Sequence, residues 1–314
     1  MTIPALRIGT RGSKLALTQA TAVRQRLIDA FPELENAIEI QVIRTTGDIV
    51  RDRVLAEIGG KGLFAKEIEE ALLDGRIDLA VHSLKDLPTW LPSGLGIVAC
   101  LPREDPRDGL LVNHERLKGV TSIADMPAGT VIGTASLRRQ SQILAQRRDL
   151  RIIPARGNID TRLGKIEEGV YDATVLALAG FKRLGMEGRM DAVLSPEEML
   201  PAVAQGVIAI ETRLDDSRTR DLVVAINDAD AFHASQAERA MLAKLDGSCR
   251  TPIGGLAQLK DGALSLEGLV AMPDGSETHR RRHNGPVADA IRLGEAVGEE
   301  LRACAGPAYF QSVA

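Results

Sequence analysis

Arg7-Ile8-Gly9-Thr10-Arg11-Gly12-Ser13 and Val131-Ile132-Gly133-Thr134-Ala135-Ser136 have the same form. Each is the end of an apolar strand, then Gly-Thr, then a serine placed to cap the helix that follows. A further pair, Gly75-Arg76-Ile77-Asp78 and Gly169-Val170-Tyr171-Asp172, leads in both cases into an apolar strand. Strand-glycine-helix turns are common, so these matches alone do not establish duplication. With the order of the surrounding elements they suggest two similar α/β lobes. Each lobe would set a helix N-terminus, with free N–H groups and partial positive charge, at the C-terminal edge of its sheet. Facing lobes would then form an anion-binding cleft.

Outward from these two turns, apolar runs of strand length alternate with amphipathic stretches. Strands are predicted at Ala5–Ile8, Ile38–Arg44 and Ile77–His82, with helices at Lys14–Ala30 and Phe64–Asp74, the second closed by Gly75. The pattern restarts with strands at Thr130–Gly133, Leu150–Pro154 and Ala173–Leu178 and helices at Ser136–Arg148 and Ile159–Glu168, the latter closed by Gly169. Strands separated by helices imply parallel pairing with crossovers. The Pro- and charge-rich Leu101–Gly109 reads as a boundary, and a second crossing is expected near Pro201–Gly206. From about Asp228 a helix (Ser235–Leu245), two strands (Gly255–Leu259, Leu264–Ala271) and a last helix (Val287–Cys304) read as a small α+β domain. The expected domains are therefore 1–104 with 201–227, then 105–200, then 228–314. Thr45–Gly62, polar and glycine-punctuated, reads either as an exposed loop or as a lid.

Composition narrows the function classes. A chain of 314 residues favours two or three domains, and 44% apolar with 26% charged residues excludes wholesale disorder and fibrous architecture. Aromatics at 3% leave little for a base-stacking surface, and the net charge of −4 also argues against nucleic acid as a partner. The 39 basic residues divide into 30 arginines and 9 lysines. Codon bias in a GC-rich genome gives such a ratio, and so does a need for permanently charged, two-pronged anion donors. No run approaches the ~20 apolar residues of a membrane span, and Met1–Ser13 has no signal-peptide core. Three widely spaced cysteines argue against a disulfide framework or a zinc site. A cytoplasmic location is expected.

Position separates informative arginines from the rest. Arg138, Arg139, Arg147, Arg148, Arg151, Arg156 and Arg162, with Lys165, face only Asp149 and Asp160 in the same stretch. Arg147, Arg148 and Arg151 read as a solvated face. Arg138 and Arg139 fall in a first helical turn, where the macrodipole disfavours cations unless an anion is present. Arg156 follows a strand, Arg162 lies a turn into the next helix, and Arg11 takes the matching place in the first lobe. These sheet-edge guanidiniums suit a polycarboxylate or polyphosphate. No GxGxxG follows the first strand, and Gly59-Gly60-Lys61-Gly62 lacks the Walker spacing, so nucleotide readings are weak. Lys85-Asp86, just past a buried strand, is either a surface pair or an acid–base site. Cys100 and Cys304 read as inert, whereas Cys249, in a Gly-rich loop beside Arg250, reads as a reactive thiol.

Ordered motifs along nearly the whole chain resemble the porphobilinogen deaminase (hydroxymethylbilane synthase) family. They are IGTRGSKLAL (8–17), GGKGLFAKEIE (59–69), DLAVHSLKDLP (78–88), IGTASLRRQSQ (132–142), ARGNIDTRL (155–163), LALAGFKRLG (176–185), PAVAQG (201–206) and ERAMLAKLDGSCRTPIGG (238–255). The resemblance implies two lobes like a type II periplasmic binding protein, with mixed, mainly parallel sheets, and a small C-terminal α+β domain. It implies a transferase that joins four porphobilinogens head to tail with loss of ammonia and releases the linear hydroxymethylbilane with water. It implies a dipyrromethane cofactor held by a thioether to Cys249, with Asp86 as the catalytic carboxylate. Lys85, Thr134, Ser136, Arg138, Arg139, Arg156 and Arg162 match cofactor-side positions, while Arg11, Ser13, Phe64, Arg183 and Gln205 match substrate-side ones. A monomer without metal is the implied state. Each added pyrrole brings two carboxylates, which accounts for the arginines. Ammonia loss leaves a cationic azafulvene that Asp86 would stabilise. Ser248 and Ala204 stand where the family usually has glycine. A non-catalytic carboxylate-binding protein of the same two-lobed fold is the competing reading.

Overall fold

A computed structural model describes residues 6–49, 65–247 and 251–313. The predicted site residues Phe64 and Cys249 lie outside the described residues, as does most of the 45–62 segment. The strands in chain order are β1 (Leu6–Thr10), β2 (Ile38–Val42), β3 (Leu79–Ser83), β4 (Leu95–Cys100), β5 (Asp108–Val112), β6 (Val131–Gly133) and β7 (Arg151–Ile153). They continue as β8 (Ala173–Ala177), β9 (Ala192–Val193), β10 (Ile208–Arg213), β11 (Ile253–Lys260), β12 (Ala263–Ala271) and β13 (Thr278–Pro286). The chain divides into two compact units, Met1–Glu104 with Gly206–His233 and Asp105–Gln205 with Ala234–Ala314.

The first unit holds a sheet in the order β2-β1-β3-β10-β4. β1 pairs in parallel with β2 and β3, whereas β10 runs antiparallel to both β3 and β4. The second unit repeats this plan as β7-β6-β8-β5-β9, with β6 parallel to its neighbours and β5 the reversed strand. Each sheet is thus mixed and mainly parallel. The reversed strand enters from the far end of the chain segment in each case: β10 arrives late in the sequence, β5 early.

Packing follows from helical spacing. The helix Lys14–Ala30 buries Ala20, Val23 and Leu27, at intervals of three and four residues, against Leu6, Ile8, Leu79, Val81, Ile208 and Ile210. Each fully buried leucine or isoleucine there contributes roughly 1.5–3 kcal/mol. On the other face the helix Lys66–Leu73 packs Ile68, Ala71 and Leu72 on Ile77, Ala80 and Leu95. Gly75 (φ 67°) and Gly169 (φ 69°) take the left-handed conformation that ends a helix, as their matched places in the sequence predict.

The second unit also carries the antiparallel sheet β11-β12-β13. The helix Ala229–Lys244 starts six residues before the predicted Ser235. β13 was not predicted: Thr-His-Arg-Arg-Arg-His-Asn-Gly-Pro has no apolar alternation, and this edge strand is held by its ladder to β12 and by the final helix Ala290–Val313. That helix is interrupted at Gly306 (φ 69°) beside Pro307. β4, β5, β9 and β10 were also missed: each pairs with strands remote in sequence rather than following a strand–helix alternation.

Candidate active site

In the first unit the end of β1 and the turn after β3 converge. Ser13 caps the helix Lys14–Ala30, its Oγ accepting from the Ala16 N–H at 3.2 Å. Gln19 on that helix donates its amide to Ser83 Oγ at 2.9 Å, tying the helix to the end of β3. The chain then turns through the 3₁₀ segment Leu84–Asp86, which Leu84 anchors by burying its side chain and donating its N–H to Val207 O at 3.0 Å. Lys85 is half-buried in this turn and Asp86 is exposed. A small open pocket results, with Arg11, Ser13, His82, Ser83 and Asp86 in its wall. Three predicted site residues, Arg11, Ser13 and Asp86, therefore share one pocket.

In the second unit Ser136 caps the helix Leu137–Gln146, accepting from the Arg139 N–H, and Thr134 Oγ1 accepts from the Ser136 N–H at 3.1 Å. The Gly-Thr-(x)-Ser turns seen in the sequence thus do the same capping job in both units. The anion that permits two arginines in this first turn is Asp108, at the start of β5. It is fully buried, with Arg138 Nη2 at 2.7 Å from one oxygen and Arg139 Nη2 at 2.9 Å from the other. Gln205, also fully buried, donates to the same carboxylate at 2.9 Å and to Pro106 O at 2.7 Å. Arg138 completes its contacts on Leu200 O at 2.7 Å. Burial pushes the Asp108 carboxyl up, but Arg138 and Arg139 outweigh this and hold it well below the usual carboxylate range.

Arg162 is half-buried, and its Nε donates to Gly157 O at 3.0 Å. Desolvation, and then the positive charges of Arg139 and Arg156, bring its guanidinium down to about 10. Arg139, Arg156 and Arg162 therefore form one electropositive group. Arg183 closes the short helix Leu178–Arg183 and is half-buried.

Sequence reasoning missed Asp108, which sits in the run read as a boundary. Its signal was the Arg138-Arg139 pair itself, which demanded a carboxylate. It also missed a buried cluster under the first pocket: His82 Nε2 lies 3.1 Å from Glu211 Oε2, and Glu69 stands close to both.

The comparisons with known proteins agree over almost the full length. Residues 6–221 match the family described as porphobilinogen deaminase, dipyrromethane cofactor binding domain, and residues 232–303 match its C-terminal domain. The chain belongs to the porphobilinogen deaminase family. It is 51% identical to the porphobilinogen deaminase of Paracoccus denitrificans, over 97% of this chain and 96% of that one. It is 50% identical to that of Nitrobacter hamburgensis, covering 96% and 94%, and 50% identical to the chloroplastic one of Oryza sativa subsp. japonica, covering 98% and 86%. Among solved structures, the alkanesulfonate-binding protein of Xanthomonas axonopodis pv. citri aligns at 17% identity over 78% of this chain and 76% of that one, with a TM-score of 0.37. Porphobilinogen deaminases, or hydroxymethylbilane synthases, are transferases of porphyrin and heme biosynthesis with a dipyrromethane cofactor, and that is the class of this enzyme. Among the described residues no helix is long and apolar enough to cross a membrane.

Proposed function

We propose that the chain joins four porphobilinogens head to tail with release of ammonia, on a dipyrromethane primer in thioether linkage to Cys249, and frees hydroxymethylbilane by hydrolysis. What supports this assignment of residues is the charge around Arg162: burial first, and then the nearby Arg139 and Arg156, lower its guanidinium, a setting that a polycarboxylate would suit. Pyrroles bearing acetate and propionate fit that donor set, each charge-assisted hydrogen bond contributing about 1.5–3 kcal/mol. When bound, the dipyrromethane supplies the free pyrrole end that is extended.

The roles are those that the family resemblance implies. Lys85, Thr134, Ser136, Arg138, Arg139, Arg156 and Arg162 hold cofactor-side carboxylates, and Arg11, Ser13, Phe64, Arg183 and Gln205 serve incoming substrate. Gln205 acts through Asp108, which its amide touches. The Asp86 carboxylate faces the cation left on porphobilinogen when the C–N bond breaks, and accepts pyrrole protons. The reading includes three domains (1–104 with 201–227, 105–200, 228–314), a cytoplasmic monomer, and no nucleic-acid partner. Mass spectrometry of the active protein tests it. A two-pyrrole adduct on the peptide carrying Cys249 is expected, and an unmodified thiol in fully active protein overturns it.

A further inference from the structure

Glu69, His82 and Glu211 come from three elements, the helix Lys66–Leu73, β3 and β10, and meet between that helix and the sheet. All are buried, Glu211 completely, with Glu69 at 6% and His82 at 7% exposure. His82 Nε2 and Glu211 Oε2 are 3.1 Å apart. The other oxygens, Glu69 Oε1 and Glu211 Oε1, are buried without a hydrogen-bond partner among the described residues. Two ionised carboxylates in such a place are costly, because nothing solvates the second charge. Desolvation first, then repulsion from Glu211, pushes the Glu69 carboxyl up to about 7, against a downward pull from His82. The titratable groups facing Glu69 are thus Glu211 from β10 and His82 from β3. In front of them the pocket carries Arg11 and Asp86, and His82 belongs both to the cluster and to the pocket wall.

We propose that Glu69, His82 and Glu211 share one exchangeable proton and act as a buried proton store for the Asp86 pocket. The proposal rests on the deaminase reading above. In each condensation the C–N bond of the substrate's protonated aminomethyl group, –CH2–NH3+, breaks and its electron pair leaves with nitrogen as ammonia. A C–C bond forms from the α-carbon of the accepting pyrrole, whose C–H electron pair then restores the aromatic ring. The α-proton passes to Asp86, is held by the cluster, and leaves on ammonia as ammonium, so the cycle consumes no further reactant. Burial, and then repulsion from Glu211, keep the Glu69 carboxyl protonated up to about 7, so Glu69 is the group that gives and takes the proton.

Two measurements on the holoenzyme test this. The pH profile of kcat is expected to show an ionisation near neutral pH that Glu69→Gln removes, with kcat lowered about tenfold or more. Infrared difference spectra of wild type, which need no turnover, are expected to show a protonated-carboxyl band at pH 6 that is gone by pH 8 and absent from Glu69→Gln. A Glu69→Gln profile superimposed on wild type, or no such band in folded wild type, overturns the proposal. Failure of the underlying reading is distinct: wild type would then release no ammonia from porphobilinogen.

Discussion

Arg138 donates through Nη2 to Asp108 at 2.7 Å, and both side chains are buried, joining the first turn of a helix to the start of a strand thirty positions earlier. Arg139 grips the other oxygen, so one carboxylate answers two guanidiniums and the group keeps a net positive charge. This contact reconciles the helix macrodipole with two arginines at its positive end.

Asp108→Asn leaves two buried guanidiniums without their counter-ion. Loss of one partner of a buried ion pair costs about 3–5 kcal/mol, so a comparable drop in unfolding free energy is expected in urea. The Asp108 pKa is depressed in the fold. Its stabilisation is therefore complete above the unfolded value of about 3.9 and is lost as pH falls below it toward the folded value. Acid titration of wild type and variant should converge there. Parallel curves would remove Asp108 from this role.

Arg162→Ala should move two quantities in opposite directions. Arg162 is held as a cation in a desolvated site beside Arg139 and Arg156, so its removal should raise the stability of protein lacking pyrrole. The same change should lower the rate of porphobilinogen consumption by about tenfold or more, the worth of a charged hydrogen bond to a carboxylate of the thioether-linked chain. Thermal unfolding and steady-state kinetics check the two signs.

Ala204 has φ 59°, a conformation that favours glycine. Ala204→Gly should relieve up to about 1 kcal/mol of backbone strain, partly offset by a more flexible unfolded chain. The midpoint of urea unfolding should rise slightly without change in activity at saturating substrate. A lower midpoint would mean that packing of the buried methyl outweighs the strain.

Asp86→Asn keeps the shape of the 3₁₀ turn and removes the charge. Ammonia release should fall by about 10²–10⁴, with the cofactor adduct still present by mass. Turnover near wild type would take Asp86 out of the chemistry.

Stability should also report Glu69. A carboxyl raised to about 7 in the fold binds a proton that the unfolded chain releases near its ordinary value, so stability declines as pH rises between them. Glu69→Gln should flatten that decline in denaturation series at fixed ionic strength.

Local signals were enough to determine the repeated turns, the serine caps, the glycine helix ends and the motifs that establish the family. Each depends on residues a few positions apart, so physical chemistry fixes it before folding. The arginine excess could be read as a demand for anions, and Arg138-Arg139 as requiring one nearby. Only tertiary structure identified that anion as Asp108, brought Glu69, His82 and Glu211 to one buried point, and gave each sheet its reversed strand. Those outcomes depend on register between distant segments, and desolvation gives the resulting contacts their strength. In the sequence the same residues are ordinary charges.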